Sequence, residues 1–223
     1  MGYEKLSRRQ IARLVAADIQ DGAYVNLGIG IPTLVSSFLP PGRDVILHTE
    51  NGIVGMGPGD PSAPLDLDLI NASKEPVTLL PGASITDHVV SFAMMRGGHL
   101  DLTVLGAFQV SERGDLANWD TGAPGTIPAV GGAMDLVAGA RQVYVTMEHV
   151  TKDGQPKIAR ECTYPLTGAG VVDRIYSDLA IIDVVSGSMV LRAMVEGLSF
   201  EALQALTGCP LARADDLRVL APE

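Results

Sequence analysis

The feature that most restricts the fold is a unit of strand, glycine turn and helix near the start of the chain. Tyr24-Val-Asn-Leu27 has strand character and runs into Gly28-Ile-Gly30-Ile-Pro32, after which Thr33 to Leu39 has a helical pattern. Pro32 sits near the first helical position, where the N–H that proline lacks has no partner to lose. A crossover helix returns the chain to the sheet so that the next strand lies parallel to the first. Strands alternate with short helices along most of the sequence, which predicts an α/β fold with a mostly parallel sheet and helices on its faces. No internal repeat, low-complexity segment or composition break divides the chain, so residues 1–223 are expected to form one domain.

The other elements follow from periodicity and punctuation. Ser7 with Gln10 makes a capping-box pattern, and Ile11, Leu14, Val15 and Ile19 form one apolar stripe of a helix stopped by Gly22. That helix is expected to run for about four turns. Val45-Ile-Leu47, between Pro40-Pro41-Gly42 and Asn51-Gly52, predicts a buried strand. Further strands are expected at the end of 70–80, over 101–106 and 142–147, and around Arg174 to Val185, with a hairpin from Gln109 to Trp119 and a β-turn at Ser186-Gly187. Ser84 with Asp87 caps a helix that turns Val89, Val90, Ala93 and Met94 inward and ends at Gly97-Gly98. A Pro/Gly loop over 122–132 opens a helix from Ala133 to Ala138, and Ser199 N-caps a closing helix to Leu206.

Composition removes several functions. A net charge of −10 without a basic cluster excludes nucleic acid and anionic membrane as partners, since both require Lys/Arg patches. No stretch approaches about 18 uninterrupted apolar residues. The N-terminal segment lacks a signal-peptide core, and Leu6 stands where myristoylation wants Ser or Thr, so a cytoplasmic protein is expected. Cys162 and Cys209 are far apart, and His48, His88, His99 and His149 are scattered without ligand spacing, so no metal and no disulfide framework is expected.

One carboxylate stands out by position. Glu50 follows the Val45–Leu47 run and precedes Asn51-Gly52. Ligands of open α/β sheets gather at the carboxyl ends of strands. Gly52, Gly55, Gly57 and Gly59 would let backbone approach such a ligand. Asn-Gly is equally a hairpin signal, and a Glu before a turn is ordinarily a solvated surface residue. The Gly28-x-Gly30 turn presents free N–H groups suited to an anion or a developing oxyanion, or simply joins strand to helix. Thr33 stands where a dinucleotide site needs glycine, so a Rossmann cofactor is excluded. Neither a phosphate-binding Gly-x-x-x-x-Gly-Lys-[Ser/Thr] nor a Gly-x-Ser-x-Gly nucleophile elbow occurs.

His48-Thr-Glu-Asn-Gly-Ile-Val-Gly-Met-Gly-Pro58 resembles the Ser-Glu-Asn-Gly motif of the second (B, or β) subunit of family I 3-oxoacid CoA-transferases. Asn26-Leu-Gly-Ile-Gly-Ile-Pro32, Gly131-Gly-Ala-Met-Asp135, Met95-Arg-Gly-Gly98, Gly114-Asp-Leu-Ala-Asn-Trp119 and Thr163-Tyr-Pro-Leu-Thr-Gly168 resemble the same family in the same order, over nearly the whole chain. The resemblance implies the α/β fold shared by CoA-transferases and sugar-phosphate isomerases. It further implies that this chain pairs with the family's A (α) subunit, with an A2B2 heterotetramer as the expected assembly. No cofactor would be permanently bound, and a coenzyme A thioester would serve as substrate and covalent intermediate. Glu50 would be the nucleophile, with Gly131, Gly132 and Ala133 bringing backbone groups to the thioester and Gly28 and Gly30 as second contributors. Asn51 would orient Glu50 or serve the turn. Arg96 and His99 would bind an acceptor's distal carboxylate or cap the Gly97-Gly98 turn.

Within the family, 118–131 looks more like the 3-oxoadipate enzymes, which degrade aromatic compounds, than the acetoacetate enzymes of ketone-body use. The chain departs from both at Thr49, where Ser is usual, at Ile85-Thr86 in place of an aromatic pair, and at Val89-Val90 where an acidic residue is expected. The expected reaction moves CoA from succinyl-CoA to a 3-oxo acid by a ping-pong route. Two other readings compete: an isomerase-like enzyme using Glu50 as general base, and a non-catalytic binding module of the same fold.

Overall fold

The computed structural model describes residues 2–59, 62, 66–71, 73–123, 125 and 127–221. The chain opens with α1 (Arg8–Asp18), β1 (Tyr24–Leu27), α2 (Ile31–Leu34), β2 (Ile46–His48), β3 (Ile53–Gly57) and β4 (Thr78–Ile85). It continues with α3 (His88–Arg96), β5 (Leu102–Gly106), β6 (Gln109–Ser111), β7 (Leu116–Ala117), α4 (Ala133–Gly139) and β8 (Val143–Met147). β9 (Ile158–Ala159), β10 (Arg174–Ser177), β11 (Ala180–Val185), β12 (Ser188–Val195), α5 (Phe200–Ala205) and β13 (Leu211–Leu220) complete it.

Ten strands form one sheet in the order β13-β12-β11-β10-β8-β5-β1-β2-β3-β4. Its inner strands β10, β8, β5, β1 and β2 are all parallel, as the alternation of strands and helices predicts. Antiparallel strands flank them, because short turns leave no room for a crossover. Ser186 and Gly187 both take positive φ (50° and 74°) between β11 and β12, the geometry of a tight hairpin turn. A small second sheet, β7-β6-β9, carries the expected hairpin at Gly114.

The chain leaves β1 toward β2 on one side and, after α3, enters β5 on the other side of β1. Strand order therefore reverses between β1 and β5, which opens a crevice at their carboxyl ends. α1 packs with α2, and α3 packs with α4; right-handed crossovers on the two sides of β1 put these pairs on opposite faces. Val25, Val104, Val145 and Ile175 are fully buried between them.

The capping box at Ser7–Gln10 is present, but α1 has 11 residues and ends before Gly22, shorter than expected. Asp18 at its end accepts from Arg174 (2.9 Å) and Tyr176 (2.6 Å), tying the helix to β10. The helix expected from Thr33 starts at Ile31 and tightens into a 3-10 turn over Val35–Phe38. The inward face assigned to α3 is a larger error. Val89 and Val90 are 76% and 41% exposed, whereas Ser91 and Met95 are fully buried. Asp87 caps the helix through Val90 N–H as expected, and that cap sets a phase in which the i, i+4 pair Ser91 and Met95 faces the sheet. The segment Arg174 to Val185 is two strands: Ser177 Oγ accepts the N–H groups of Leu179 and Ala180 (3.2 and 2.9 Å) and folds the chain back. α5 is not the closing element, because β13 follows it.

Candidate active site

A cleft of about 630 Å3 lies at the carboxyl ends of β1, β2, β5 and β8. Gly28, Gly30, Glu50, Gly131, Gly132 and Ala133 all line it, so residues spread over a hundred positions of sequence meet at the strand-order reversal. A cavity of about 710 Å3 at the opposite end of β1 and β5 is lined by Tyr24, His99, Asp101 and Arg141, away from this constellation.

Local chemistry explains why each piece sits where it does. Gly28 lies against β5: a Cβ there would stand 3.0 Å from Leu105 Cδ2 and 3.2 Å from Val104 O. Its N–H donates to Val104 O at 2.9 Å. Gly30 N-caps α2 at φ 93°, ψ −124°, a conformation reserved in practice for glycine. Gly52 takes φ 105°, and a Cβ there would meet Thr86 O at 2.2 Å. The Asn51-Gly52 turn is thus a real hairpin between β2 and β3, and the same hairpin lifts Glu50 over the crevice.

Glu50 is half-buried, and its Oε2 accepts the backbone N–H of Gly132 at 3.1 Å. Burial pushes its pKa up, Asp135 adds to the rise, and the Gly132 N–H and nearby His88 partly oppose it. A carboxylate with few water partners and a raised pKa is a better nucleophile than one on the surface. Gly132 has no side chain for a close reason: a Cβ would lie 2.6 Å from Glu50 Oε2. Phe92 is the third wall of this contact, 3.2 Å from that Cβ position, and stacks against His88 with ring centroids 4.3 Å apart.

The remaining expected residues lie elsewhere. The Asn51 amide donates to Ile70 O at 3.2 Å rather than to Glu50, so it pins the following loop. Arg96 pairs with Asp135 across the α3–α4 seam and does not line the cleft. His99 packs over Gly97 and borders the opposite cavity. Lys157, His88 and Phe92 are functional candidates that the sequence did not reveal. Lys157 lines the cleft half-buried, its pKa lowered by burial against the weaker pull of Glu148 and Asp178. Arg8, the other cation there, stands 3.8 Å from Glu148. No local pattern marks these side chains, because they come to the cleft from elements far apart in sequence.

A switch-point α/β chain with a desolvated carboxylate over backbone amides is organised as an enzyme of acyl-group chemistry. The family model described as "Coenzyme A transferase" matches residues 8–205, and the chain belongs to that family. Over 214 residues it is 59% identical to the B subunit of the 3-oxoadipate CoA-transferase of Acinetobacter baylyi, covering 96% of this chain and 99% of that protein. It is 49% identical over 220 residues to the human mitochondrial succinyl-CoA:3-ketoacid coenzyme A transferase 2, covering 97% of this chain but 42% of the human one. Among solved structures, the acyl-CoA transferase YdiF of Escherichia coli O157:H7 superposes with a TM-score of 0.77 at 18% identity, over 99% of this chain and 44% of that one, a likeness of fold. Among the described residues no helix is long and apolar enough to cross a membrane.

Proposed function

We propose that this chain, as one domain over residues 1–223, is the catalytic B (β) subunit of a cytoplasmic CoA-transferase that moves CoA from succinyl-CoA to 3-oxoadipate. The observation that carries the reading is the Glu50 carboxylate, desolvated in the switch-point cleft with the Gly132 N–H on its oxygen. A general base in an isomerase would instead need a phosphate nest beside it, and the family match speaks against that class.

Glu50 attacks the thioester carbonyl of succinyl-CoA, forming a mixed anhydride and expelling the CoA thiolate. The thiolate attacks the glutamyl carbonyl of the anhydride, giving the Glu50–CoA thioester and releasing succinate. The acceptor carboxylate attacks that thioester, and the thiolate then takes the acceptor's acyl group, freeing Glu50. Each addition places negative charge on a carbonyl oxygen, where one well-placed backbone donor is worth roughly 3 to 4 kcal/mol. Gly132 N–H already points at a Glu50 oxygen, and Gly28, Gly30, Gly131 and Ala133 supply the surrounding backbone. Asn51 supports the hairpin rather than orienting the carboxylate, and Arg96 supports α4 rather than an acceptor. Lys157 is the cleft cation open to an anionic substrate.

The 3-oxoadipate acceptor rests on the 59% identity to the A. baylyi protein, and acetoacetate, suggested by the 49% identical human enzyme, is the second reading. The bacterial relative is named as one of two kinds of chain, which supports a separate A (α) chain as partner in an A2B2 heterotetramer. The test is to incubate the assembled enzyme with succinyl-CoA, trap with borohydride or hydroxylamine, and map peptides. Modification at Glu50 is the expected result, and an unmodified Glu50 with turnover intact would refute the nucleophile. Steady-state rates with 3-oxoadipate and acetoacetate then separate the acceptors.

A further inference from the structure

We propose that His48 is a positioning residue for Glu50, acting through a chain of hydrogen bonds of fixed polarity that ends on the peptide joining Thr49 to Glu50. The proposal rests on the reading of Glu50 as nucleophile. Four buried groups make the chain: Asn26 on β1, His48 on β2, Ser91 on α3 and the Thr49 carbonyl, from residues 0–4% exposed.

The direction of every proton follows from the two carbonyls at its ends. Asn26 Nδ2 lies 3.2 Å from His48 O and 3.2 Å from His48 Nδ1. A carbonyl oxygen can only accept, so the amide atom facing it is the nitrogen, and that nitrogen's second proton meets a lone pair on Nδ1. The neutral ring therefore carries its proton on Nε2, which stands 3.0 Å from Ser91 Oγ. Ser91 accepts there and gives its own proton to Thr49 O at 3.1 Å. Any other ring orientation or tautomer leaves buried donors or acceptors unpaired, so one arrangement is strongly preferred.

The terminus of the chain is what makes it relevant to the reaction. Thr49 O also accepts the Gly52 N–H at 3.0 Å, and Thr49 N–H donates to Ile53 O at 2.9 Å. Thr49 Oγ1 accepts the Ile53 N–H at 2.9 Å. Both peptide groups flanking the residue before Glu50 are thus held, and with them the direction in which the Glu50 side chain leaves the backbone. Ser91 brings α3 into the same anchor, and α3 supplies Phe92 and His88 beside the carboxylate. A histidine that merely filled the core would give stability without any bearing on where Glu50 points.

The two roles separate in the assembled enzyme with His48→Asn, His48→Gln and Ser91→Ala. Asn is too short to bridge Asn26 and Ser91, whereas the Gln amide reaches the place of Nε2 and still donates to Ser91. His48→Asn and Ser91→Ala are expected to lower kcat and the rate of Glu50 thioester formation by about ten- to a hundredfold, the scale of a sub-ångström to 1 Å misplacement, with KM for succinyl-CoA unchanged. His48→Gln is expected to recover most of that loss. Wild-type kcat in His48→Asn, or losses that follow the melting temperature with His48→Gln no better than His48→Asn, would overturn the proposal. Should His48→Asn fail to assemble, Ser91→Ala and His48→Gln decide the matter by the same rates. Absence of any thioester on wild-type Glu50 refutes the nucleophile itself; labelling of wild type and variants at equal rates refutes only the positioning chain.

Discussion

Substituting Gly132 by Ala perturbs the nucleophile with little else. The backbone at Gly132 (φ −86°, ψ 6°) is open to any residue, so the new methyl introduces no backbone strain. Its Cβ would fall 2.6 Å from Glu50 Oε2 and 2.9 Å from Cδ, whereas ordinary contact begins at 3.4 Å, so the carboxylate oxygen must retreat by 3.4 − 2.6 = 0.8 Å. Phe92 Cζ, at 3.2 Å, has to give only a few tenths of an ångström. A displacement near 1 Å at a reacting atom costs about a hundredfold in rate, or about 2.7 kcal/mol of barrier. The same retreat stretches the 3.1 Å bond from Gly132 N–H, which removes a contact that now holds the Glu50 pKa down. Gly131→Ala is the matched contrast. Gly131 sits at φ 52°, where a side chain costs roughly 1–2 kcal/mol, yet its Cβ would clear Glu50 Oε2 by 3.9 Å. Gly132→Ala is thus expected to lose kcat about a hundredfold with a nearly unchanged melting temperature, and Gly131→Ala to melt earlier with the smaller kinetic loss. Single-turnover formation of the Glu50 thioester and thermal unfolding measure the two quantities. Full thioester formation by Gly132→Ala, or equal kinetic losses in both variants, would refute the reasoning.

Glu50→Gln keeps an acceptor for Gly132 N–H but removes a charge whose burial raises the pKa, so the melting temperature should hold or rise while CoA transfer falls by about 10^3 or more; a clear drop in melting temperature would contradict the burial argument. His48 and His149 are held neutral by burial, with pKa values lowered from 6.5 to about 4. The unfolded chain binds more protons than the native one between those values, so stability is complete above about pH 6.5 and falls as pH drops toward 4, by up to about 3 kcal/mol for each histidine. Urea midpoints at pH 7.5 and pH 4.5 test this, and equal midpoints would exclude it. Lys157→Met is expected to raise KM for succinyl-CoA or for the acceptor acid about tenfold while Glu50 still labels at saturating substrate; unchanged KM for both would take Lys157 out of substrate binding.

Much of the site is visible in the sequence because it is built from backbone. Gly28, Gly30, Gly131 and Gly132 announce close approaches that no side chain allows, and Glu50 follows a short apolar run at the edge where such approaches converge. The hairpin and the active-site readings of Asn51-Gly52 are alternatives in the sequence alone, and the structure makes them one feature. Side chains that act across elements are hidden. Arg96 sits in the family-like Met95–Gly98 stretch, yet its partner Asp135 lies 39 positions away and draws it out of the cleft. The phase of α3 is misread from sequence because Val89 and Val90 are the more apolar pair, while a serine takes the buried position to meet His48. β12 and β13 escape detection because nothing in Ser188–Val195 or Leu211–Leu220 shows on its own that the sheet continues antiparallel beyond β10.

The position of the cleft follows from topology before any catalytic residue is considered. A parallel strand can be entered from either side only if the chain reverses its direction of travel, and here it does so at β1. The connections after β1 and β5 then diverge to opposite faces and leave the crevice that Gly28 floors and Glu50 overhangs. The antiparallel β3 adds what a purely parallel sheet could not: a tight hairpin immediately after β2, which holds the carboxylate over the crevice instead of carrying the chain away into a helix. Rigidity at that hairpin therefore comes from beneath, through His48 and Ser91, while access comes from above, through residues without side chains.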